Sequence, residues 1–129
     1  MILLDTHVLV WLASEPAKLS NKASDTIRYA THNDGIAISA ITLWELGWLA
    51  THQRVTFLGT AEDFVEEMVS RTSIRPITPK IAVLANQLPA DYPCDPCDRL
   101  IAATALAEGI PLVTKDKGIR SCRELRTIW

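Results

Sequence analysis

The sequence predicts an α/β fold, a three-layer α/β/α sandwich with a mostly parallel central sheet of about five strands. Short apolar runs recur along the chain, and the segments between them show helical periodicity and helix start signals. Strands that alternate with helices are joined by crossover connections, which place helices on both faces of a parallel sheet. Because 129 residues fit one hydrophobic core, we expect a single domain over residues 1–129.

The strands are predicted from the short apolar runs. The expected element order is β-α-α-β-α-α-β-α-α-β-(α)-β. The strands are expected at residues 2–4, 36–38, 74–77, 111–113 and 126–128.

Capping signals predict the helices between these strands. Ser20, Thr60 and Thr78 each precede a segment with helical periodicity, and an acid three residues after Thr60 suits a capping box. A proline follows both Thr78 and Asp95, and proline is favoured at the first helical position. Gly109 is expected to end the last long helix.

The bulk composition excludes several classes of protein. No apolar run approaches the ~18 residues that a membrane helix needs. The amino terminus lacks the basic region of a signal peptide and has an acid at position 5, so a cytoplasmic protein is expected. The net charge of −2 divides into −5 for residues 1–98 and +3 for residues 99–129. A basic segment of this size fits either phosphate binding or an ordinary solvated surface.

Three cysteines, an odd number, do not suggest a disulfide framework and fit a reducing compartment. Cys94 and Cys97 form a C-x-x-C pair, which is compatible with redox chemistry or with half of a zinc site. A structural zinc needs two further ligands, and Cys122 and three dispersed histidines offer no recognisable spacing.

Four carboxylates are the main candidates for a functional site: Asp5, Glu45, Asp98 and Asp116. Asp5 and Asp116 follow apolar strands, and the carboxyl ends of parallel strands share one edge of a sheet. Glu45 lies on the helix after the second strand, whereas Asp98 follows a helix and a loop. The topology is therefore expected to bring the four together at the edge where α/β sheets bind ligands.

Each acid also has a structural interpretation. Asp5 could cap the first helix, and Asp116 could cap a turn near residues 117–118. Glu45 stands three residues after Thr42, the spacing of a capping box. Asp98 could interact favourably with the positive end of its helix dipole.

Close packing of four carboxylates needs a compensating charge. Two carboxylates ~4 Å apart repel by roughly 4 kcal/mol at an effective dielectric constant of 20. Hard oxygen ligands suit Mg²⁺ or Mn²⁺, which retain waters and bind phosphates. A shared divalent cation would therefore explain the cluster better than four separate caps do.

The chain resembles PIN-domain nucleases, with the closest similarity to the VapC-type toxins of toxin–antitoxin pairs. The resemblance covers the whole chain in order, although relatives often have a histidine where this chain has residues 92–94 (Tyr-Pro-Cys). It rests on four motif blocks, at Ile2–Trp11, Ser39–Leu46, Asp95–Ala105 and Leu112–Asp116.

The resemblance implies an endoribonuclease that depends on Mg²⁺ or Mn²⁺. Asp5, Asp98 and Asp116 would hold the metal, and Glu45 would be a further ligand or would orient the attacking water. The metal would activate water for hydrolysis of RNA phosphodiester bonds, so no histidine base is required.

Other residues are candidates for supporting roles. Thr6 and Thr114 stand beside two of the acids and could orient them. Alternatively, their hydroxyls could bond to the nearby backbone in ordinary ST-turns. Arg99, Lys115 and Lys117 could contact RNA phosphates, and Arg99 could equally pair with its neighbouring acid at the surface.

The three tryptophans Trp11, Trp44 and Trp48 permit two interpretations. Tryptophans at helical spacing are usually core residues. The resemblance implies the alternative that these early helices form an apolar groove for an antitoxin, and it also implies a homodimer.

Two other functions remain open. A non-toxin PIN nuclease of RNA processing would have the same acids. A receiver-like signalling module would also place acids around Mg²⁺. Its first strand should end in two adjacent acids, whereas the first strand of this chain is followed by Asp5 alone.

Overall fold

The structure is a computed structural model that describes residues 1–129. The element order matches the prediction, and two short 3₁₀ turns occupy Pro16–Lys18 and Ile119–Ser121. The elements are β1 Ile2–Leu4, α1 Thr6–Ser14, α2 Asn21–His32, β2 Ile36–Ser39, α3 Ile41–Thr51, α4 Ala61–Val69, β3 Ser73–Arg75, α5 Pro79–Gln87, α6 Pro96–Glu108, β4 Leu112–Val113 and β5 Thr127–Ile128.

The five strands form one sheet in the order β3-β2-β1-β4-β5, and every pairing is parallel. The central strand β1 pairs with β2 on one side and with β4 on the other. The chain reaches β2 and β3 on the first side before it crosses to β4 and β5. The strand order therefore reverses between β1 and β4, and such a switch point opens a crevice at the carboxyl ends.

Alternating side chains of the buried strands supply the two cores of the sandwich. Ile2 and Leu4 of β1 point into a cluster that includes residues of α1 and α2, and α4 packs its apolar stripe against it. Leu3 points to the opposite face, where it packs with Ile101 of α6. The predicted three-layer α/β/α architecture is confirmed.

The predicted capping signals are confirmed at the helix ends. Ser20, Thr60 and Thr78 each accept a hydrogen bond from a backbone N–H of the helix that follows, and Thr60 forms the full capping box. Asp95 caps α6, and Gly109 ends it with a left-handed φ of 65°. At this position a side chain would add strain, because only glycine adopts such a φ freely.

The third strand was predicted slightly too late. It spans Ser73–Arg75 rather than residues 74–77, because Pro76 has no N–H to donate to a ladder and ends the pairing. None of the helices has both the length and the apolar character needed to cross a membrane.

Candidate active site

A cleft of about 270 Å³ opens at the carboxyl ends of β1 and β4, the switch point of the sheet. All four predicted acids line it, which confirms that the fold brings them to one place. The lining also includes Asp95, His7, Lys115, Val8 and Trp11.

Asp5 lies at the base of this cleft, directly after the central strand. Its side chain is 5% exposed, and Thr114 Oγ1 donates a hydrogen bond of 2.8 Å to its Oδ2 atom. Burial raises the pKa of the Asp5 carboxyl, while the bond from Thr114 opposes that rise. Asp5 occupies the N-cap position of α1 but makes no side-chain capping bond, so its interpretation as a helix cap is wrong.

Thr114 connects the acids that follow β1 and β4. Besides donating to Asp5, its hydroxyl accepts the backbone N–H of Asp116 at 3.1 Å. Asp116 Oδ1 in turn accepts the N–H of Ile119 at 3.0 Å, so the predicted turn-capping role is confirmed. The acid is exposed, and it combines this local role with a position at the cleft.

Glu45 is oriented by two threonines rather than by a capping box. Helix α3 begins at Ile41, which places Thr42 inside the first turn, so the predicted box is wrong. Thr6 Oγ1 donates to Glu45 Oε1 at 2.7 Å and lies 2.9 Å from Thr42 Oγ1. Because the single Thr6 proton is used on Glu45, Thr42 must donate to Thr6. Thr42, which no sequence pattern marks as a site residue, is thus part of the hydrogen-bonded series that orients Glu45.

The pKa of Asp98 shows most clearly that the cleft is buried and negatively charged. Burial, followed by repulsion from Asp95, Asp5, Asp116 and Glu45, raises its pKa to about 7. Burial and the charges of Asp5 and Asp95 likewise raise the pKa of Glu45, against the hydrogen bond from Thr6. None of the four predicted acids forms a salt bridge. The negative charge of the cleft is therefore poorly compensated by the protein.

The donor set of the cleft fits a hard divalent cation. Carboxylate oxygens are the side-chain ligands that Mg²⁺ and Mn²⁺ prefer, and a cation would relieve the repulsion that raises the pKa of Asp98. No three acidic, histidine or cysteine side chains converge tightly enough to form a preformed metal cluster. Mg²⁺ usually keeps several waters and binds few carboxylates directly.

Asp95 belongs to the predicted start signal of α6. Its Oδ1 atom does accept the N–H of Cys97 at 2.8 Å, which confirms the capping role. The same carboxylate lines the cleft and contributes to the raised pKa values of Asp98 and Glu45. The cleft thus holds five acids.

A family model described as PIN domain matches residues 2–125. The chain belongs to the PIN-domain family. It is 41% identical to Ribonuclease VapC22 of Mycobacterium tuberculosis over 130 residues, which cover 99% of this chain and 98% of the relative.

Solved structures show the same fold. VapBC2 from Rickettsia felis, bound to a DNA fragment from its promoter, matches with a TM-score of 0.76 and 22% identity over 98% of this chain and 97% of that chain. A toxin–antitoxin complex from Klebsiella pneumoniae matches with a TM-score of 0.69 and 23% identity, over 97% and 95% of the two chains.

The basic residues of this PIN domain occupy three different environments. Lys115 lines the cleft, and its Nζ lies 5.9 Å from the centroid of the Trp11 ring. Lys117 is exposed and does not line the cleft. Arg99 makes hydrogen bonds to five backbone carbonyls and no salt bridge. The alternative of a surface ion pair is therefore wrong, and a phosphate contact by Arg99 would require one of these bonds to break.

The tryptophans of the PIN domain line two adjoining cavities and differ in exposure. Trp11 is half-buried against the core. It lines a groove of about 680 Å³ between α1, the loop after α3, and α4, which we call the Trp11 groove. Trp44 and Trp48 are 62% and 39% exposed and line a neighbouring cavity, which shares His7 and Leu49 with the groove beside Trp11. The core interpretation therefore holds only for Trp11, and an antitoxin groove formed by all three stays a prediction.

All three cysteines are free thiols. Cys94 is exposed, whereas Cys97 is buried at the start of α6. Burial and the neighbouring acids Glu45 and Asp95 raise the pKa of the Cys97 thiol to about 12. A thiol that stays protonated at neutral pH is a poor nucleophile and metal ligand, which disfavours both functional interpretations of the C-x-x-C pair.

The raised pKa of Asp98 predicts how stability depends on pH without divalent cations. The folded protein holds an extra proton between the ordinary aspartate pKa of 3.8 and about 7, so the contribution of Asp98 to the free energy of unfolding falls as pH rises through this window. Asp98→Asn cannot ionise, so its free energy of unfolding does not fall in this way as pH rises. We expect its Tm in EDTA at pH 8 to exceed that of the wild type by a few degrees, and the gain to shrink at pH 5.

The control for this measurement is Glu66→Gln, which changes an exposed acid of α4 outside the cleft. Its Tm should follow the wild type at both pH values. A gain for Asp98→Asn that is equally large at pH 5 and pH 8 would contradict the assigned pKa.

Proposed function

We propose that this PIN domain is a divalent-metal-dependent endoribonuclease that hydrolyses RNA phosphodiester bonds. The convergence of Asp5, Glu45, Asp98 and Asp116 in one cleft is the observation that carries the proposal. Similarity to a relative named a ribonuclease over nearly the full length of both chains supports RNA as the substrate.

The metal site of the proposal consists of Asp5, Asp98 and Asp116. A bound Mg²⁺ or Mn²⁺ lowers the pKa of a coordinated water and neutralises charge that develops on the scissile phosphate. Asp5 offers a fixed ligand because it follows the central strand and is held by Thr114. A cation held beside Asp98 would favour its ionised form and so lower its raised pKa, and ionisation of this acid would in turn favour binding of the cation.

In this proposal Glu45 acts on the attacking water. The hydrogen bond from Thr6 fixes Oε1, which leaves Oε2 free to accept a proton. The raised pKa of Glu45 makes that carboxylate a stronger base than an exposed glutamate. Thr6 and Thr42 therefore orient this side chain, while Thr114 does so for Asp5.

We predict that Asp5→Asn or Asp98→Asn lowers the rate of Mn²⁺-dependent cleavage of single-stranded RNA by roughly 100-fold or more, because each removes a charged ligand. Both variants should stay folded by circular dichroism. Mg²⁺ or Mn²⁺ should raise the Tm of the wild type more than that of either variant.

The control Glu66→Gln should cleave RNA and respond to metal as the wild type does. Retained cleavage in a purified Asp5→Asn or Asp98→Asn protein would remove that residue from the mechanism, and equal metal-induced Tm shifts would count against the site.

Lys115 supplies the positive charge that an RNA backbone needs beside five acids. It is the one lysine or arginine that lines the cleft. Lys18 lies near the same Trp11 ring, with its Nζ 5.7 Å from the ring centroid, but it does not line the cleft. We assign Lys115 to a phosphate that flanks the scissile one. Lys117 is a candidate for a more distant phosphate, because it is exposed two residues further along the chain.

We predict that Lys115→Gln weakens RNA binding and makes it less sensitive to salt. Each phosphate contact on a single strand contributes a slope of about −0.7 to log K against log salt concentration, so the slope should become shallower by about that amount. The measurement uses RNA titrations of the cleavage-deficient Asp98→Asn protein. Lys22→Gln, at an exposed lysine on α2, is the control, and an equal change in both would count against a specific contact.

We further propose that the Trp11 groove binds an antitoxin, because one of the solved structures similar to this chain is a toxin–antitoxin complex. Apolar residues of three elements line the groove, including Val10, Phe57, Leu58, Phe64 and Met68. An apolar groove of this kind accepts the nonpolar face of a helix or strand from a partner.

Leu58 gives the sharpest test of this groove because it is 97% exposed. Leu58→Asp should weaken binding of the protein encoded beside this gene at least tenfold by calorimetry, with little change in Tm. Val83→Asp changes an exposed apolar residue of α5 outside the groove and should leave affinity unchanged. Weaker binding by Val83→Asp together with unchanged binding by Leu58→Asp would mean that the partner binds another face.

Toxin status and homodimerisation are separate parts of the proposal. A neighbouring gene for a small DNA-binding protein, together with slowed growth on expression, supports a toxin, and their absence favours a nuclease of RNA processing. The exposed Trp44 and Trp48 offer apolar surface for a second copy of the chain, which sedimentation of the wild type and Trp44→Ala would detect.

A further inference from the structure

Arg99 uses all five of its N–H donors on backbone carbonyls. Nε donates to Pro93 at 2.9 Å, and Nη1 donates to Ala85 and Leu88 at 3.2 Å each. Nη2 donates to Pro89 at 2.9 Å and to Tyr92 at 3.4 Å. A guanidinium has five donors, so this side chain is fully satisfied inside the protein.

The sequence around the end of α5 explains why these carbonyls need a donor. The last carbonyls of any helix lack partners within it. The amide that would ordinarily bond to the Ala85 carbonyl belongs to residue 89, which is a proline and has no N–H. Arg99 replaces this missing donor and places a cation at the negative end of α5.

Tyr92 attaches the same loop to the opposite side of the cleft. Its ring is buried, and its hydroxyl donates to the carbonyl of Ile119 at 2.8 Å. The N–H of Ile119 is the donor that Asp116 Oδ1 accepts. Pro93 also lies against Gly118, where an added Cβ would come within 3.0 Å of the proline ring.

These contacts form a continuous connection between two acids of the cleft. Arg99 directly follows Asp98 and holds residues 88–93, and Tyr92 holds the turn that carries Asp116. Asp98 and Asp116 line the same cleft, and their like charges repel each other, which favours separation of the segments that carry them. The connection opposes that separation.

We propose that Arg99 and Tyr92 are positioning residues that set the separation of Asp98 and Asp116 and thereby the affinity for the divalent cation. This inference rests on the proposed metal-dependent function. It assigns Arg99 a role in assembling the acidic site instead of a contact with RNA, and it makes residues 88–94 a support of that site.

Backbone hydrogen exchange tests the connection without metal or RNA. Tyr92→Phe keeps the buried ring and loses only the hydroxyl, so exchange should rise in residues 116–121. Arg99→Lys keeps the charge and loses the forked donors, so exchange should rise in residues 88–98 and also in 116–121. Tyr29→Phe and Arg71→Lys, at exposed positions, are the controls and should match the wild type. Faster exchange confined to residues 85–99 in Arg99→Lys, or none at 116–121 in Tyr92→Phe, overturns the coupling.

Calorimetry with Mn²⁺ alone tests the effect on the site. Both variants should bind Mn²⁺ roughly tenfold more weakly, the size expected when a group that orients metal ligands is lost. At saturating Mn²⁺, kcat for RNA cleavage should fall while KM stays near the wild-type value. A lower Tm with unchanged Mn²⁺ affinity and unchanged kcat would mean a purely structural role and would overturn the proposal.

The two tests also separate failure of this inference from failure of the proposed function. A wild-type protein that neither binds Mn²⁺ nor cleaves RNA overturns the metal-dependent function and, with it, the effect on metal affinity. Hydrogen exchange then still decides whether Arg99 and Tyr92 couple the two sides of the cleft.

Discussion

Mutual repulsion among the carboxylates of the cleft is the constraint on which the rest of the site depends. Five acids line one cavity at the switch point of the sheet, and burial with repulsion raises the pKa of Asp98 to about 7. Such a cluster is unfavourable by itself, so the fold must hold it in place. The strand pairing, the threonine hydroxyls and the Arg99 contacts can be understood as the means by which the protein does so.

The support of the cleft has two parts with different physical origins. Asp5 follows β1, which pairs with a strand on each side, and Thr114 ties it to the end of β4. Asp98 instead starts a helix after a loop, and that loop is held by side-chain hydrogen bonds from Arg99 and Tyr92. Ladder bonds in a central strand open only with large parts of the fold, whereas loop contacts open locally at lower cost.

The sequence predicted the fold and the four acids because both depend on local patterns. Short apolar runs, capping residues and acids at strand ends can be identified without knowledge of tertiary contacts. The interpretation of Glu45 as a capping-box partner failed because α3 starts one residue before Thr42, and helix boundaries are poorly determined by sequence. The roles of Arg99 and Trp44 required the packed structure, since carbonyl partners and exposure are properties of the assembled chain.

Asp98 lies on a helix that follows a loop, not at the end of a strand, and this bears on how such an enzyme can evolve. Residues 88–95 form no ladder with the sheet, but the buried Tyr92 packs in the same core as Leu3 and Leu112, so exposed positions such as Ala90 and Asp91 are the ones that can change without disturbing the sheet. Under the proposed connection, changes at these positions would alter the separation of Asp98 and Asp116 while the core stays constant. The same sheet can serve enzymes tuned to different conditions, because the adjustable half of the site lies outside the element that is hardest to alter.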